Sequence, residues 1–492
     1  MLPIPLRVRW EEELEMKKYE TVIGLEVHAT LATKSKAFCS CSTEFGGEPN
    51  TRCCPICTGM PGALPVLNKQ VVDYAIAAGL ALNCTITKEC KFDRKNYFYP
   101  DLPKSYQISQ LYYPLCRNGS IEIESSEGRK LIGIHEIHME EDAGKLIHDP
   151  TENSTLVDYN RSGIPLLEIV SEPDMRSKEE AIAYLKKLRL ILQYLGISNC
   201  KMAEGSYRAD INLSVRLKGE TKLGTRTEMK NMNSFKAIAR AIEEEEKRQI
   251  DLLENGKSVV QETRRWDDSK NTSFSMRTKE DASDYRYFPE PDIPPIEISD
   301  QWLHIIRERQ PELRDEKMAR YEKEYDIPTY DAAIITESKF MAQLFEDTVA
   351  LGSNPKEVAN WLIIDLLRLL REEEMDIDEV SFTPSHLCEL IEMIEEGTIN
   401  RTIAKEVFEK MFKDKVDPKE YVENQGLSMV SDSEVIRSEV KKVFADNEKS
   451  VSDYKNGKTK AMGFLVGQTM KAMKGKADPS LVNMIVKEML MN

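Results

Sequence analysis

The chain has 492 residues, 41% of them hydrophobic and 31% charged, with a formal net charge of −16. That length calls for two to four domains with separate cores, and the acidity excludes a simple nucleic-acid-binding polycation. No apolar run approaches the roughly 18 residues that span a bilayer, and ten cysteines without an export signal read as reduced thiols plus a metal site, so a cytoplasmic location is expected.

The first strong pattern is Val22 to Leu31. Val22, Gly24, Glu26, His28 and Thr30 alternate with Ile23, Leu25, Val27, Ala29 and Leu31, which predicts a strand with one buried face and one facing water or a cleft. Directly behind it come Cys39, Cys41, Cys54 and Cys57. A C-x-C followed by Cys54-Pro55-Ile56-Cys57 is a zinc-ribbon spacing, and four thiolates complete a tetrahedral Zn²⁺ shell, so this metal is expected to be structural. Cys53 cannot share the knuckle with its neighbour and is read as a spare thiol.

Asn68 to Leu82 predicts a short apolar helix. The stretch Phe92 to Lys104 then mixes aromatics with Lys95 and Lys104 in a proline-kinked loop. It suits phosphate or nucleotide contact, or equally rings packed beneath a charged loop. A strand over Leu131–Met139 runs into Glu140-Glu141-Asp142-Ala143-Gly144-Lys145. Ser177-Lys178-Glu179-Glu180 is a capping box opening a helix that Gly196 closes, and a second helix runs from Ser234 to Asn255. Between them, Arg208–Leu217 repeats the strand alternation, and Gly224–Asn231 presents Arg226, Glu228 and Lys230 on one side. The expected fold class is α+β, built on an antiparallel sheet with a mixed-sign charged face.

Four prolines in the seven residues from Pro289 to Pro295 mark a boundary. The expected domains are 1–297, then an all-helical 298–418, then a small helical module over 419–492. In the helical part, signals fall at Asp300–Glu308, Glu337–Leu351, Asn354–Leu370, Thr383–Glu396 and Thr402–Phe412, with Pro384 at a first helical position. From Lys455 onward seven lysines face two acids, which fits an RNA-binding appendage or a solvated helical face.

Glu26, His28, Glu140, Glu141 and Glu228 are the candidate hard-metal ligands, a set that suits Mg²⁺ bridging to phosphates. On a regular strand Glu140 and Glu141 point to opposite faces, so both reach one site only if the backbone turns there. There is no G-x-x-x-x-G-K-[ST] phosphate loop, no G-x-S-x-G elbow and no serine- and glycine-rich amidase signature.

Taken in order, these segments closely resemble the GatB family, the tRNA-handling component of aspartyl/glutamyl-tRNA(Asn/Gln) amidotransferases. The matching stretches include Gly24–His28, Cys54–Cys57 running into Pro61–Asn68, Asp93–Lys104, His138–Lys145, Asp158–Arg161, Glu204–Ser206, Lys230–Ser234 and Asp284–Pro295. Gly457–Lys476 looks like the YqeY-type tail of that family, and no large insert of the archaeal GatE kind precedes it. The resemblance implies a cradle-like catalytic domain, a helical domain and a YqeY-like tRNA-binding tail. It implies ATP-dependent phosphorylation of the side-chain carboxylate of Glu-tRNA(Gln) or Asp-tRNA(Asn), then amidation by ammonia delivered through a tunnel from a partner amidase (GatA-like), with a small GatC-like component. The implied cofactors are ATP, Mg²⁺ on Glu26, His28, Glu140, Glu141 and Glu228, and structural Zn²⁺. Lys95 and Lys104, with Glu141, are implied at the tunnel end or on the phosphates, and Lys471, Lys474 and Lys476 on tRNA phosphates. Two other readings stand beside it: a non-catalytic tRNA-binding scaffold, and a metal-dependent nuclease using the same carboxylates.

Overall fold

The computed structural model describes residues 18–491 apart from 127, 150, 153, 279–284, 431 and 474, and divides into two compact units between Leu313 and Arg314. The expected tRNA contact Lys474 lies outside the described residues.

In the first unit the strands include β1 (Tyr19–Thr30), β2 (Thr85–Ile86), β3 (Glu89–Cys90), β4 (Asp93–Asn96), β5 (Tyr106–Ser109), β6 (Cys116–Ser125) and β7 (Gly128–Glu141). They continue as β8 (Lys145–Asp149), β9 (Ser154–Asp158), β10 (Pro165–Ser171), β11 (Tyr207–Leu217), β12 (Thr227–Lys230), β13 (Glu262–Asp267) and β14 (Thr272–Thr278). Among the described residues the main sheet has the order β14-β13-β12-β11-β1-β10-β7-β6-β2. Its pairs are antiparallel except β12 with β13, which run parallel.

The predicted alternation sets which face is buried. Ile23, Leu25, Val27 and Ala29 of β1 join Ala209, Ile211, Leu213 and Val215 of β11 and Leu167 and Ile169 of β10 in one core. Helices α1 (Lys69–Ala81), α2 (Lys178–Tyr194) and α3 (Phe235–Glu254) cover that face. Their caps are local and were legible: Asn68, Ser177 and Ser234 each accept a backbone N–H of the first turn. At α2 the Glu180 carboxylate reaches back to Arg176 N at 2.7 Å, one residue beyond the capping-box position.

The first boundary moves from the expected 297. Helix α4 (Asp300–Glu308) stays with the sheet unit because Trp302, Leu303 and Ile306 pack on its core. In the second unit the signals expected from Glu337 onward appear as helices, joined by Arg314–Tyr325 and Thr329–Ile335. The single helix expected over Asn354–Leu370 contains a π-helical stretch, Trp361–Leu366, that turns Trp361, Leu362, Asp365 and Leu366 inward. The expected break at 418 also shifts. Helix Pro418–Asn424 buries Val422 in the core around Trp361 and Phe408, whereas Ile436, Val440, Leu465, Val482 and Ile485 form a separate core for the four helices from Ser433 to Met491. No helix among the described residues is long and apolar enough to cross a membrane.

Candidate active site

Strand register builds the site. On the face away from the helices, Arg208, His28, Glu168 and His138 stand opposite one another across β11, β1, β10 and β7. Two residues along the strands, Asp210, Glu26, Val170 and Glu136 form the next row. Opposed side chains in such rows have Cβ atoms about 5 Å apart. Two groups result in which the ligand-type atoms lie within 4.8 Å of one another: His28 with Glu140 and Glu168, and Glu26 with Asp210 and Glu228.

Each group is held by neutral donors or by a cation. Ser109 Oγ and Gln107 Nε2 donate to Glu140, the latter at 3.3 Å. His28 Nε2 lies 3.9 Å from Glu168 Oε2. In the second group Asn212 Nδ2 donates to Glu26 at 2.8 Å, Thr263 Oγ1 donates to Glu228 at 2.7 Å, and Lys230 pairs with both Asp210 and Glu228.

The electrostatics divide the carboxylates. Burial pushes the Glu140 carboxyl up, but Lys95, His28 and His138 outweigh it and hold it below the ordinary range. Glu168 goes the other way, raised well above its usual value by burial and by the charge of Glu140. Burial lowers the Lys95 ammonium, and the fields of Glu140, Tyr287 and Glu168 more than offset it, so Lys95 stays charged. Its Nζ lies 5.2 Å from the Tyr285 ring, in a chain of edge-on rings from Tyr97 through Tyr285 to Tyr287. Carboxylates with one imidazole, or carboxylates alone, are a donor set for a hard divalent cation, and each group holds such a set.

Glu141 does not join them. Strand β7 runs regularly through both glutamates and turns only after Glu141, so the two side chains part. Glu141 faces the other way, accepting from Ile108 N at 2.9 Å and pairing with Lys104. Lys104 is therefore behind the sheet, away from Lys95. Sequence reasoning missed Glu168 and Asp210. Asp210 lay in plain view on the charged face of the predicted Arg208–Leu217 strand. The signal for Glu168 was a lone carboxylate in the otherwise apolar run Pro165–Ser171.

Beside Glu141 sits the cysteine cluster. Sγ atoms of Cys39, Cys41, Cys54 and Cys57 lie within 4.8 Å of one another, a fit to tetrahedral Zn²⁺. The first pair is carried on a loop closed by Lys36 N donating to Cys41 O at 3.0 Å; the second wraps Cys57 Sγ around the Cys54 amide at 3.2 Å. Hydrogen bonding from Cys39 holds the Cys57 thiol down at about 4, with the Cys54 amide and Lys36 assisting. Cys53 stands outside the four, its Sγ 3.8 Å from Asn160 Oδ1. Gly59, at φ 68°, lets Lys104 approach: a Cβ there would meet Lys104 Cγ at 2.7 Å. A cavity of about 100 Å³ lies between knuckle and sheet, lined among others by Lys36, Cys57, Lys104 and Glu141.

At the other end of β1 a slot of about 200 Å³ opens beside Glu26 and Asn212. Gly24 is its floor, and Val22, Val170, Pro173 and Leu223 are apolar walls. Gly24 has no positive φ, and a Cβ built on it meets nothing closer than 3.7 Å, so strand packing does not demand glycine there. Arg226 lines the slot with no hydrogen bond or ion pair among the described residues. Among the tail lysines, Lys471 is exposed near the end of its helix, while Lys476 Nζ donates to Gly426 O at 2.6 Å.

Fold and site together define an α+β protein with two acidic side-chain groups on one face of its main sheet and a helical unit that follows in sequence. Comparison with known proteins gives the family. Residues 21–304 match the model of the GatB/GatE catalytic domain, and residues 343–490 match that of the GatB domain. The chain is 70% identical to the B subunit of the aspartyl/glutamyl-tRNA(Asn/Gln) amidotransferase of Lachnoclostridium phytofermentans, over 96% of this chain and 99% of that one. Identity is 63% to the protein of the same name from Agathobacter rectalis (96% and 100% covered) and 59% to that from Caldicellulosiruptor bescii (96% and 99%). The chain belongs to the GatB family, as the ordered motifs implied.

Proposed function

We propose that the chain is the kinase and transamidase half of a tRNA-dependent amidotransferase. It phosphorylates the side-chain carboxylate of Glu-tRNA(Gln) or Asp-tRNA(Asn) with ATP and then lets ammonia displace the phosphate. A side-chain carboxylate is a poor electrophile, and its acyl phosphate is a good one. The observation that carries this reading is the pair of acidic groups side by side on one sheet face with the Gly24 slot at their edge.

The base of the nucleotide fits the apolar slot, which orients the triphosphate toward Glu26, Asp210 and Glu228. These residues, with His28, Glu140 and Glu168, would hold Mg²⁺, which would supply charge neutralisation at the transferring phosphoryl group. Lys95, fully charged and between the tyrosines and Glu140, contributes a phosphate contact. Glu141 and Lys104 form a polar pair behind the sheet and read as the tunnel end, where ammonia arrives unprotonated from a GatA-like amidase partner. The cysteine knuckle, with Zn²⁺, keeps that wall rigid through Lys36 and Gly59. The helical unit and the tail, with Lys471 and Lys476, are assigned to tRNA.

Paired acidic groups also suit two-metal phosphodiester cleavage, so the test separates the two. The complex with its amidase partner is given Glu-tRNA(Gln) with and without ATP, using glutamine or ammonia. ATP-dependent Gln-tRNA(Gln), lost in Glu140→Gln while tRNA binding persists, supports the amidotransferase reading. Cleavage of tRNA without ATP supports the nuclease. No product under any condition leaves a scaffold.

A further inference from the structure

His138 is a buried imidazole with no place in the hydrophobic core. It is 8% exposed, and its neighbours Ile137 and Met139 point to the opposite, apolar face of β7. Its Nδ1 lies 3.8 Å from Glu168 Oε2, and its Nε2 lies 2.9 Å from Glu136 Oε1. That second contact is close but poorly aligned, and Nε2 has no hydrogen bond of good geometry. Glu168 Oε2 is also 3.9 Å from His28 Nε2. One carboxylate oxygen is thus flanked by two imidazoles from the strands on either side: His28 belongs to the candidate cation group, and His138 does not.

Glu168, unlike Glu140, has no hydrogen bond to a side chain outside its group among the described residues. Glu140 is fixed by Ser109 and Gln107, and it stands in the field of Lys95. Among the described residues, His138 is the side chain outside the group in ion-pair range of Glu168 Oε2, and Lys95 acts on the same carboxyl through its charge. Outer partners of this kind orient a ligand, and their loss typically costs 10–100-fold in metal affinity. Glu136 lies on the same face of β7 two residues before His138, and it limits the swing of the ring.

We propose that His138, held by Glu136, is a positioning residue that fixes Glu168 in the orientation in which it binds a divalent cation together with His28 and Glu140. This rests on reading that group as a cation site. The ring acts through its Nδ1 edge, an electrostatic neighbour of Glu168 Oε2 at 3.8 Å, so a polar side chain at the same point replaces it and one that merely fills the space does not.

Mn²⁺ binding to the full complex, followed by electron paramagnetic resonance without ATP or tRNA, tests this. His138→Leu keeps the volume and removes the polar edge; His138→Asn keeps a polar group where Nδ1 lies. The expected result is about a tenfold or greater loss of Mn²⁺ affinity in His138→Leu and an affinity within about threefold of wild type in His138→Asn. Glu136→Gln should fall between them. The proposal is overturned if His138→Leu binds Mn²⁺ as wild type does, or if folded His138→Asn loses as much as His138→Leu. Thermal melting of the Asn variant keeps the test decisive should the Leu variant not fold. If wild type itself binds no Mn²⁺, it is the reading of the cation site that fails, an outcome visible before any variant is compared.

Discussion

Glu140 and Glu141, adjacent on β7, serve opposite sides of the sheet: Glu140 accepts from Ser109 and Gln107 on the open face, and Glu141 accepts from Ile108 N at 2.9 Å and pairs with Lys104 behind it. Two neutral substitutions one residue apart should therefore have different consequences. Glu140→Gln is expected to lower amidation by at least about 100-fold with either nitrogen source, as when a group acting on transferring charge is removed. Glu141→Gln should retain ATP-dependent phosphorylation of the aminoacyl-tRNA and lose chiefly the use of glutamine. Phosphate release and product formation, measured side by side, decide this; equal loss of both activities in the two variants counts against the division.

Gly24→Val should separate stability from nucleotide binding. Valine favours a strand, and the nearest atom to its Cβ is at 3.7 Å, so the melting temperature should hold or rise. The KM for ATP is expected to rise tenfold or more as the slot floor is filled, with the KM for aminoacyl-tRNA little changed. An unchanged ATP KM would remove the slot from the nucleotide site.

The cysteine cluster should carry one zinc per chain by elemental analysis. Chelation, or Cys57→Ser, is expected to lower the melting temperature by roughly 5–10 °C, the scale of a few kcal/mol in a unit of this size. Cys53→Ser should alter neither zinc content nor melting, since its sulfur stands apart from the four. A variant at Cys53 that loses zinc would reassign the knuckle.

Asp142 is clamped by Arg161 and Arg208, the latter at 3.2 Å. Burial pushes its carboxyl up, but the Arg208 and Arg161 charges outweigh it and hold it below the ordinary carboxylate range. The stabilisation is therefore complete above about pH 4, the unfolded value, and is lost as pH falls through the depressed one. Asp142→Asn should cost about 2–3 kcal/mol at neutral pH, less than the 3–5 of a fully buried pair because Arg208 keeps 38% of its side chain exposed. The difference between variant and wild type should shrink in acid; chemical denaturation at pH 7 and pH 3 measures it.

Lys471→Glu should weaken tRNA binding more at low salt than at high salt and reduce the slope of log affinity against log salt by about 1. Lys476→Ala is expected to affect stability as well, because Lys476 Nζ is bonded to Gly426 O at 2.6 Å. A salt slope unchanged in Lys471→Glu would take that lysine off the tRNA path.

The sequence by itself determined what depends on neighbours in the chain. The alternation in β1 and β11 assigned Glu26, His28, Arg208 and Asp210 to one face, because successive strand residues point to opposite sides. The caps at Ser177, Ser234 and Thr383, and the cysteine spacing, were legible for the same reason: each is closed within a few residues. Tertiary structure decided what depends on pairing between distant strands. Register across β11, β1, β10 and β7 brought Glu168 and Asp210 into the two acidic groups, while the unbroken run of β7 through Glu140 kept Glu141 out of them. No local pattern carries that information, since a shift of a single residue in β10 would turn Glu168 into the core. The domain limits moved for a like reason: α4 and helix Pro418–Asn424 follow the apolar surface they bury, and only the assembled cores reveal which surface that is.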